Sequence, residues 1–423
     1  MGGGLLQLVA YGAQDVYLTG NPQITFFKVA YRRHTNFALE AIEQTFNGNP
    51  SYGSRVTCQI SRNGDLIHRV YLQVNLNDTT VGSTSPQYCR YFGHRLLNYV
   101  EVEIGGQRID RHYSHWLYVW NELSLPVGKR RGYNEMVGAY GYQNIDKTLY
   151  IPLEFWFCRN VGLALPLIAL QYHEVKININ FESAANCIIN AGVSGLNLGF
   201  SASLWVDYIY LDTDERRRFA QLSHEYLIEQ LQFTGQEAIT GPSIKPKLSF
   251  NHPCKELIFF ASTNTSNNWF NYTTSAGADW SGVETYETLK PKLTQTNFDY
   301  SVNNSNTDPS NPIKTAKLVL NGNDRFYERP GRYFNVIQPF QHHENVPTNA
   351  GINVYSFSLK PEEHQPSGSL NMSRIDTAVL NLTFEDANTI TGYNPTNYNL
   401  YVYAVNYNVL RILSGMGGLA YSN

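Results

Sequence analysis

The chain has 423 residues and a net charge of −3, and 16% of its residues are charged, against roughly 25% in an average soluble domain. Its length is typical of two domains, and 42% hydrophobic residues are enough to build their cores. A protein that grips nucleic acid needs clustered Lys and Arg, and the basic residues here are scattered. The composition therefore argues against disorder and against direct nucleic-acid binding.

The first residues predict an arm rather than part of a sheet. Residues 1–24 contain apolar runs but no evident strand partner, and they lack the basic segment of a signal peptide. We expect an arm that reaches a neighbouring molecule or lies beneath the domains, with an ordinary N-terminal extension as the alternative.

The longest strongly apolar run, residues 161–170, is half a membrane span and contains Pro166. We expect a soluble protein made in the cytosol.

Most of the chain has the patterns of β-strands. Residues 175–181 and 378–384 alternate strictly between apolar and polar side chains, which gives a strand one buried face. Residues 55–60 and 66–76 flank Asn63-Gly64, and this turn sequence predicts a β-hairpin. Helical patterns occur only around residues 116–123 and 215–222. The many short strands indicate an all-β sandwich, with a jelly roll as a leading option.

The same pattern occurs twice along the chain. Three segments of the first half have echoes in the second half, in the same order: residues 41–48 and 227–235, 101–108 and 317–325, and 204–211 and 401–410. Because repeats of this kind indicate duplication, we predict a first roll over residues 25–212, a linker over 213–224 and a second roll over 225–423.

One long segment has no counterpart. Residues 263–312 contain nine Asn with many Ser and Thr and have little periodicity, which predicts a large loop at one end of the second roll. Three sequons in it are candidate glycosylation sites, at Asn264, Asn271 and Asn303. Further sequons at Asn77, Asn371 and Asn381 are poorer candidates, the last two because they lie beside or within predicted strands. Beyond such N-linked glycans on outer loops, we predict no cofactor.

Residues that could carry chemistry are few. The nearest approaches to a metal site are His342-His343-Glu344 and Glu362-Glu363-His364. Because neighbouring residues of an extended chain point to opposite faces, adjacent side chains could hardly share one metal ion. We therefore expect exposed loop residues in both segments, with a cupin-like metal site as the formal alternative. The five cysteines lack metal or disulfide spacing and predict buried, reduced residues. The glycine-rich segment 414–418 opens no helix and so fails as a phosphate cradle.

We therefore predict no catalytic, cofactor-binding or metal-binding residue and a structural protein rather than an enzyme. A carbohydrate-binding sandwich is the alternative, with Trp269, Tyr272 and Trp280 as exposed stacking platforms.

Longer runs of sequence resemble a known family. They include residues 7–27, which end in Gly-Asn-Pro-Gln-Ile-Thr-Phe-Phe, and residues 60–66, 103–110, 162–175, 206–235 and 406–421. These runs span the chain and closely resemble major capsid proteins of nucleocytoplasmic large DNA viruses, above all those of algal phycodnaviruses related to the chlorella viruses. Residues 263–312 do not follow this resemblance.

The resemblance implies two consecutive eight-stranded antiparallel jelly rolls, that is, a double jelly roll. It further implies a homotrimer with a pseudo-hexagonal outline that packs against neighbouring capsomers in the icosahedral shell of a virion. Minor capsid and penton proteins would be partners, the arm would lie on the inner side near the viral membrane, and long loops would form the outer surface.

Overall fold

The alternating segments predicted from the sequence are strands with one buried face. In residues Ala378–Phe384 every second side chain is buried, and Val175–Phe181 likewise forms a strand.

The computed structural model describes residues 3–77, 87–139, 148–189, 199–264, 269–274, 311–388, 390 and 393–421. It contains two units, Met1–Phe37 and Ala38–Asn423. The first unit extends further than the predicted arm of residues 1–24 and contains two short helices, α1 (Gly3–Val9) and α2 (Val16–Thr19).

The second unit contains the sheets, and its first half provides eleven strands. These are β1 (Phe37–Gln44, which begins at the last residue of the first unit), β2 (Arg55–Gln59), β3 (Leu66–Leu76), β4 (Gln87–Tyr88), β5 (Leu97–Ile104), β6 (Gln107–Tyr113), β7 (Thr148–Pro152), β8 (Leu165–Pro166), β9 (Val175–Phe181), β10 (Ile188–Ile189) and β11 (Phe200–Leu211).

Thirteen strands follow in the second half. These are β12 (His224–Phe233), β13 (Glu237–Ala238), β14 (Ser243–Ile244), β15 (Lys247–Leu248), β16 (Pro253–Ser262), β17 (Ile313–Leu320), β18 (Asn323–Asp324), β19 (Arg329–Pro330), β20 (Asn353–Ser356), β21 (Leu370–Asn371), β22 (Ala378–Phe384), β23 (Asn399–Leu413) and β24 (Met416–Leu419).

Short helices connect the strands of this unit. These are α3 (Phe92–Leu96), α4 (Ser114–Ser124), α5 (Val127–Val137), α6 (Trp156–Arg159), α7 (Ala184–Cys187), α8 (Thr213–Gln221) and α9 (Gln338–His342). A π-helical turn, Tyr333–Ile337, leads directly into α9. The helix α8 lies between the last strand of the first half and the first strand of the second half. Among the described residues, no helix is long and apolar enough to cross a membrane.

Each half of the chain is a jelly roll of two facing antiparallel sheets, and the strand order is the same in both. Sheet 1 has the order β1-β11-β3-β7 and sheet 2 the order β2-β9-β5-β6. In the second half, sheet 3 has the order β12-β23-β16-β20 and sheet 4 the order β14-β22-β17-β18. Sheet 3 is thus the counterpart of sheet 1, and sheet 4 the counterpart of sheet 2. This topology confirms the predicted double jelly roll.

The three sequence echoes fall on equivalent strands. Residues 41–48 and 227–235 belong to β1 and β12, each at the edge of its sheet, and residues 204–211 and 401–410 belong to β11 and β23. The echo at residues 101–108 and 317–325 covers the β5–β6 turn and its counterpart between β17 and β18. The echoes therefore mark positions that the duplicated fold uses in the same way.

The predicted hairpin at Asn63-Gly64 is wrong. Both flanking strands exist, but β2 pairs with β9 in sheet 2, whereas β3 pairs with β11 and β7 in sheet 1. The connection crosses from one sheet to the other, so the two strands never face each other in one sheet. Glycine is needed at Gly64 for a different reason, since a Cβ there would lie 2.9 Å from the Cβ of Tyr208.

Each roll has its own apolar core, and buried thiols form part of both. Cys58, Cys187 and Cys254 are fully buried, and all five cysteines are free. Burial raises the pKa of the Cys58 thiol to about 12, so it stays protonated at neutral pH. These cysteines behave as small core residues, as the sequence predicted.

A third apolar layer joins the two rolls. The helix α4 carries Trp116, Val119, Trp120 and Leu123 at the spacing that places them on one face, and all four are buried. They pack on the outer face of sheet 3, against side chains that point away from the core of the second roll: Ile258, Phe260, Val354, Tyr401, Tyr403 and Val405. Because the other face of sheet 3 covers the core of the second roll, β16 and β23 are buried on both faces.

Replacing Trp116 with Ala tests how much this layer contributes to the free energy of unfolding. Trp116→Ala removes a fully buried indole and should lower the free energy of unfolding by about 3 to 5 kcal/mol. The matched control, Tyr327→Ala, removes an exposed ring and should leave the stability nearly unchanged. Thermal melting of both variants measures the difference, and equal melting temperatures would contradict a joining role for α4.

Candidate assembly interface

Charged side chains join the two rolls beside the aromatic layer. Glu229 on β12 accepts from Arg159 at the end of α6, with 2.9 Å between Nη2 and Oε2, and from Lys255 on β16, with 2.6 Å between Nζ and Oε1. The Lys255 side chain is only 1% exposed, and it also donates to the carbonyl of Glu363. Because one carboxylate serves cations from both rolls, the contact holds them in one relative position.

An edge strand of the first roll is capped by the second roll. Asp110 on β6 accepts from the backbone N–H of Leu231 on β12 at 3.0 Å, and the side chain of Gln230 donates to the carbonyl of Ile109. The second carboxylate oxygen of Asp110 lies 2.9 Å from Nε2 of His112. Two polar groups of the β6 edge, the carbonyl of Ile109 and Oδ1 of Asp110, thus have hydrogen-bond partners in the second roll.

The C-terminal hairpin also joins the two rolls. Ser414 and Gly415 both have positive φ, 51° and 80°, as a two-residue type I′ turn between β23 and β24 requires. The carbonyl of Gly415 accepts from the N–H of Tyr172 at 3.0 Å, and His173 Nδ1 lies 2.8 Å from the carbonyl of Gly417. The glycine-rich tail, which the sequence excluded as a phosphate cradle, therefore clamps the second roll onto the first.

The connections next to α4 make a further polar contact between the rolls. Glu122 on α4 accepts from the hydroxyl of Thr348 at 2.7 Å and from Arg130 on α5 at 3.2 Å. The N–H of Asn345 donates to the carbonyl of Leu123 at 3.0 Å. The sequence did not predict α5, whose Gly128 and Gly132 weaken its helical pattern; Gly138, with φ of 68°, ends it.

The first candidate metal segment is partly buried instead of exposed. His342 is near the surface, but the His343 side chain is fully buried between two carboxylates, with Nε2 at 2.8 Å from Glu256 and Nδ1 at 2.7 Å from Glu362. The expectation of exposed loop residues is therefore wrong for His343. Its side chain points inward, whereas that of the neighbouring His342 lies near the surface. Burial opposes its charge, but Glu256 and Glu362 outweigh this and raise the pKa of His343 to about 9.

No group of three or more metal-ligating side chains occurs in the described part of the chain. His343 is held as an imidazolium by its two carboxylates, so both ring nitrogens donate hydrogen bonds and neither has a lone pair for a metal ion.

The structure describes two of the three candidate glycosylation sites. Asn271 is 3% exposed, and its side-chain oxygen accepts from the N–H and hydroxyl of Thr273. This burial makes Asn271 the poorer candidate, and its glycosylation stays a prediction. The side chain of Asn264 donates to Gln236 and accepts from Tyr401; glycosylation there stays a prediction. Asn303 lies outside the described residues.

Two of the three proposed carbohydrate platforms are buried or half-buried. Tyr272 is fully buried against α4, and its hydroxyl lies 2.8 Å from His115. Trp269 is half-buried between the stacked ring of His115 and the guanidinium of Arg95, which lies 3.5 Å from its ring centroid. Trp280 lies outside the described residues. Tyr272 and Trp269 therefore serve the layer between the rolls and offer no sugar platform.

Among the described residues, exposed apolar side chains are frequent on β1 and in the first unit. β1 is exposed along most of its length, including Leu39, unlike its counterpart β12, which the first roll covers. Within the unit Met1–Phe37 the exposed large apolar side chains are Leu5, Leu6, Leu8, Val9, Tyr11, Val16, Tyr17, Leu18, Ile24, Phe26, Phe27, Val29, Tyr31 and Phe37. Exposed apolar surface on this scale is typical of association sites.

Two rolls of identical topology, joined by an apolar layer and buried charges, define a double jelly-roll protein built for packing. Family models match both halves: "Major capsid protein N-terminus" over residues 25–212, and "Large eukaryotic DNA virus major capsid protein" over residues 215–418.

Similar proteins agree with these matches. The major capsid protein of Pyramimonas orientalis virus is 54% identical and that of Paramecium bursaria Chlorella virus 1 is 47% identical, each aligned over 100% of both chains. The quasi-atomic model of the PBCV-1 virus capsid matches with a TM-score of 0.74 and 39% identity, over 94% of this chain and 100% of that one.

The chain belongs to the family of large eukaryotic DNA virus major capsid proteins. Its function is that of a capsid structural protein and its location is the shell of the virion. The family is not an enzyme class; that this chain has no catalytic activity of its own stays a prediction.

The buried charges predict a large cost for Glu229→Gln. The change leaves Arg159 and Lys255 without their carboxylate inside the protein and should lower the free energy of unfolding by about 3 to 5 kcal/mol. The control lies on the same strand: Glu225 pairs with Arg411 at 2.8 Å, and both are largely exposed. Glu225→Gln should cost about 1 kcal/mol or less. Denaturant unfolding compares the two, and equal costs would contradict a joining role for Glu229.

His343 predicts a loss of stability at alkaline pH. Its pKa is raised from 6.5 to about 9 in the folded chain, so its stabilising effect is complete below pH 6.5 and is lost as the pH rises through 9. His343→Gln should therefore melt below the native chain at pH 6, and the gap should shrink by pH 9.5. Thermal melting across this range measures the gap. A gap that stays constant with pH would show that His343 is not a buried imidazolium.

Proposed function

We propose that three copies of the chain form a trimer with a pseudo-hexagonal outline and that these trimers tile an icosahedral shell. The observation that carries the proposal is the identical strand order of the two rolls. A ring of six similar units needs six similar edges, and a trimer of a duplicated chain supplies them. The low net charge of −3 lets many copies pack closely without strong repulsion.

The exposed strand β1 supports association through the first roll. Its counterpart β12 is covered inside the chain by β6, so an equivalent edge in the first roll is left for a neighbouring copy. An edge strand with unpaired backbone groups and an exposed Leu39 would promote uncontrolled association of a monomeric protein.

For the unit Met1–Phe37 we propose partners on the inner side of the shell. Its exposed Leu, Phe and Tyr side chains suit contact with apolar surfaces. Minor capsid proteins, penton proteins and the inner viral membrane are the candidate partners, in addition to neighbouring capsomers.

The mass of the assembled protein tests the trimer. The purified full chain should have the mass of three copies in native mass spectrometry and light scattering, and negative-stain images should have a hexagonal outline. A chain that stays monomeric at tens of micromolar, roughly the range in which weak interfaces still associate, would overturn the proposal.

A further inference from the structure

The contact between the two rolls of one chain provides a template for a contact between chains. The connection between β6 and β7 contains α4, and this helix covers the outer face of sheet 3. The covered face is aromatic, with Phe260, Tyr401 and Tyr403 against Trp116. One roll thus uses its helical connection to bury the aromatic sheet face of the next roll.

The equivalent face of the first roll is also aromatic, but it is open. On the outer face of sheet 1, Tyr71 and Trp205 stack with 6.3 Å between centroids and 3° between planes, and Tyr150 packs beside Tyr71 at 6.1 Å. Tyr150 is 39% exposed and Leu39, on the edge strand β1, is 63% exposed. One end of this face is covered, because Phe219 of α8 packs against Leu66 and Ile209. Within the described residues, no helix covers Tyr71, Tyr150 and Trp205 as α4 covers sheet 3.

The second roll has the equivalent helical connection. The π-helical turn Tyr333–Ile337 and α9 lie between β19 and β20, the position that α4 occupies between β6 and β7. The inner side of this connection is buried through Phe334 and Gln338. Its outer side exposes Ile337 and Phe340, and Phe340 is 78% exposed. This second helical connection therefore presents apolar side chains that the described chain leaves uncovered.

Charged residues of opposite sign lie on the two surfaces, although the exposed Arg69 of β3 also lies on the sheet face, beside Tyr71. Arg332, at the start of the helical connection, is exposed and has no ion pair among the described residues. On the sheet face, alternation places Glu43 on the same side of β1 as Leu39. Asp207 lies near Tyr71, whose pKa is raised by burial and, to a lesser degree, by this carboxylate. A basic residue beside the helix thus matches acidic residues beside the sheet.

We propose that the outer side of this connection, with Ile337 and Phe340, docks onto the aromatic face of sheet 1 in a second copy of the chain, against Tyr71, Tyr150 and Trp205. The contact repeats between chains what α4 and sheet 3 do within one chain. It rests on the trimer proposed above and names the surfaces that close it. Each copy gives one helical connection and receives another, so the contact is head-to-tail, and three such contacts would close the proposed trimer.

Cross-linking between differently tagged copies tests the docking. Phe340→Cys in one copy and Tyr150→Cys in the other, co-expressed and treated with a short bismaleimide, should give a product that carries both tags. Tyr172→Cys is the control partner; this residue is 75% exposed and lies between β8 and β9, beside the turn that joins β23 to β24. It should give no such product with Phe340→Cys.

A second measurement uses the assembly itself. Phe340→Asp places a charge in the proposed contact and should raise the concentration at which the trimer dissociates by about tenfold or more. The control Tyr172→Asp should leave it unchanged. Because both side chains are exposed, the melting temperatures should match that of the native chain.

The outcomes separate the two proposals. A native trimer that gives no product with Tyr150→Cys, or as much with Tyr172→Cys, overturns the docking and leaves the trimer intact. A chain that is monomeric by mass overturns both. Cross-linking specific to Tyr150→Cys, together with weaker assembly of Phe340→Asp, supports both.

Discussion

The structure depends on the burial of one sheet on both of its faces. Sheet 3 covers the core of the second roll with Leu257 and Phe259 and meets α4 of the first roll with Ile258 and Phe260. Large aromatic side chains contribute much apolar area for little conformational entropy, so this layer is a strong joint. It also explains why residues 257–261 of β16 and 400–405 of β23 are continuous apolar runs, whereas β9 and β22 alternate.

Buried charges complement the apolar layer by fixing its geometry. An aromatic layer alone would let the two rolls slide over each other. Glu229, however, forms both of its ion pairs only where Arg159 and Lys255 both reach it. Asp110 of the first roll likewise accepts from the backbone N–H of Leu231 in the second roll. Such groups add little net stability when they are paired and cost much when they are separated. Their effect here is to favour one relative position of the two rolls, which a shell of repeated copies requires.

The sequence predicted local structure better than long-range contacts. Alternation located β9 and β22, and the echoes located equivalent strands, because these signals depend on residues close in sequence. The turn sequence at Asn63-Gly64 was misleading since it does not say which sheet each strand joins. His343 and Tyr272 were expected at the surface, yet distant partners bury them: Glu256 and Glu362 for His343, and α4 for Tyr272. α5 was missed because its glycines weaken the helical pattern. No local pattern identified the layer between the rolls.

We propose that one kind of contact occurs both within the chain and between chains. Cryo-electron microscopy of the purified full chain, at a resolution that shows side chains, tests this most directly. We predict a trimer in which the pair formed by the second roll of one copy and the first roll of the next superposes on the pair within a chain, with Phe340 against Tyr71 and Trp205. A sheet 1 face that is open to solvent, or covered by some other segment, would contradict it.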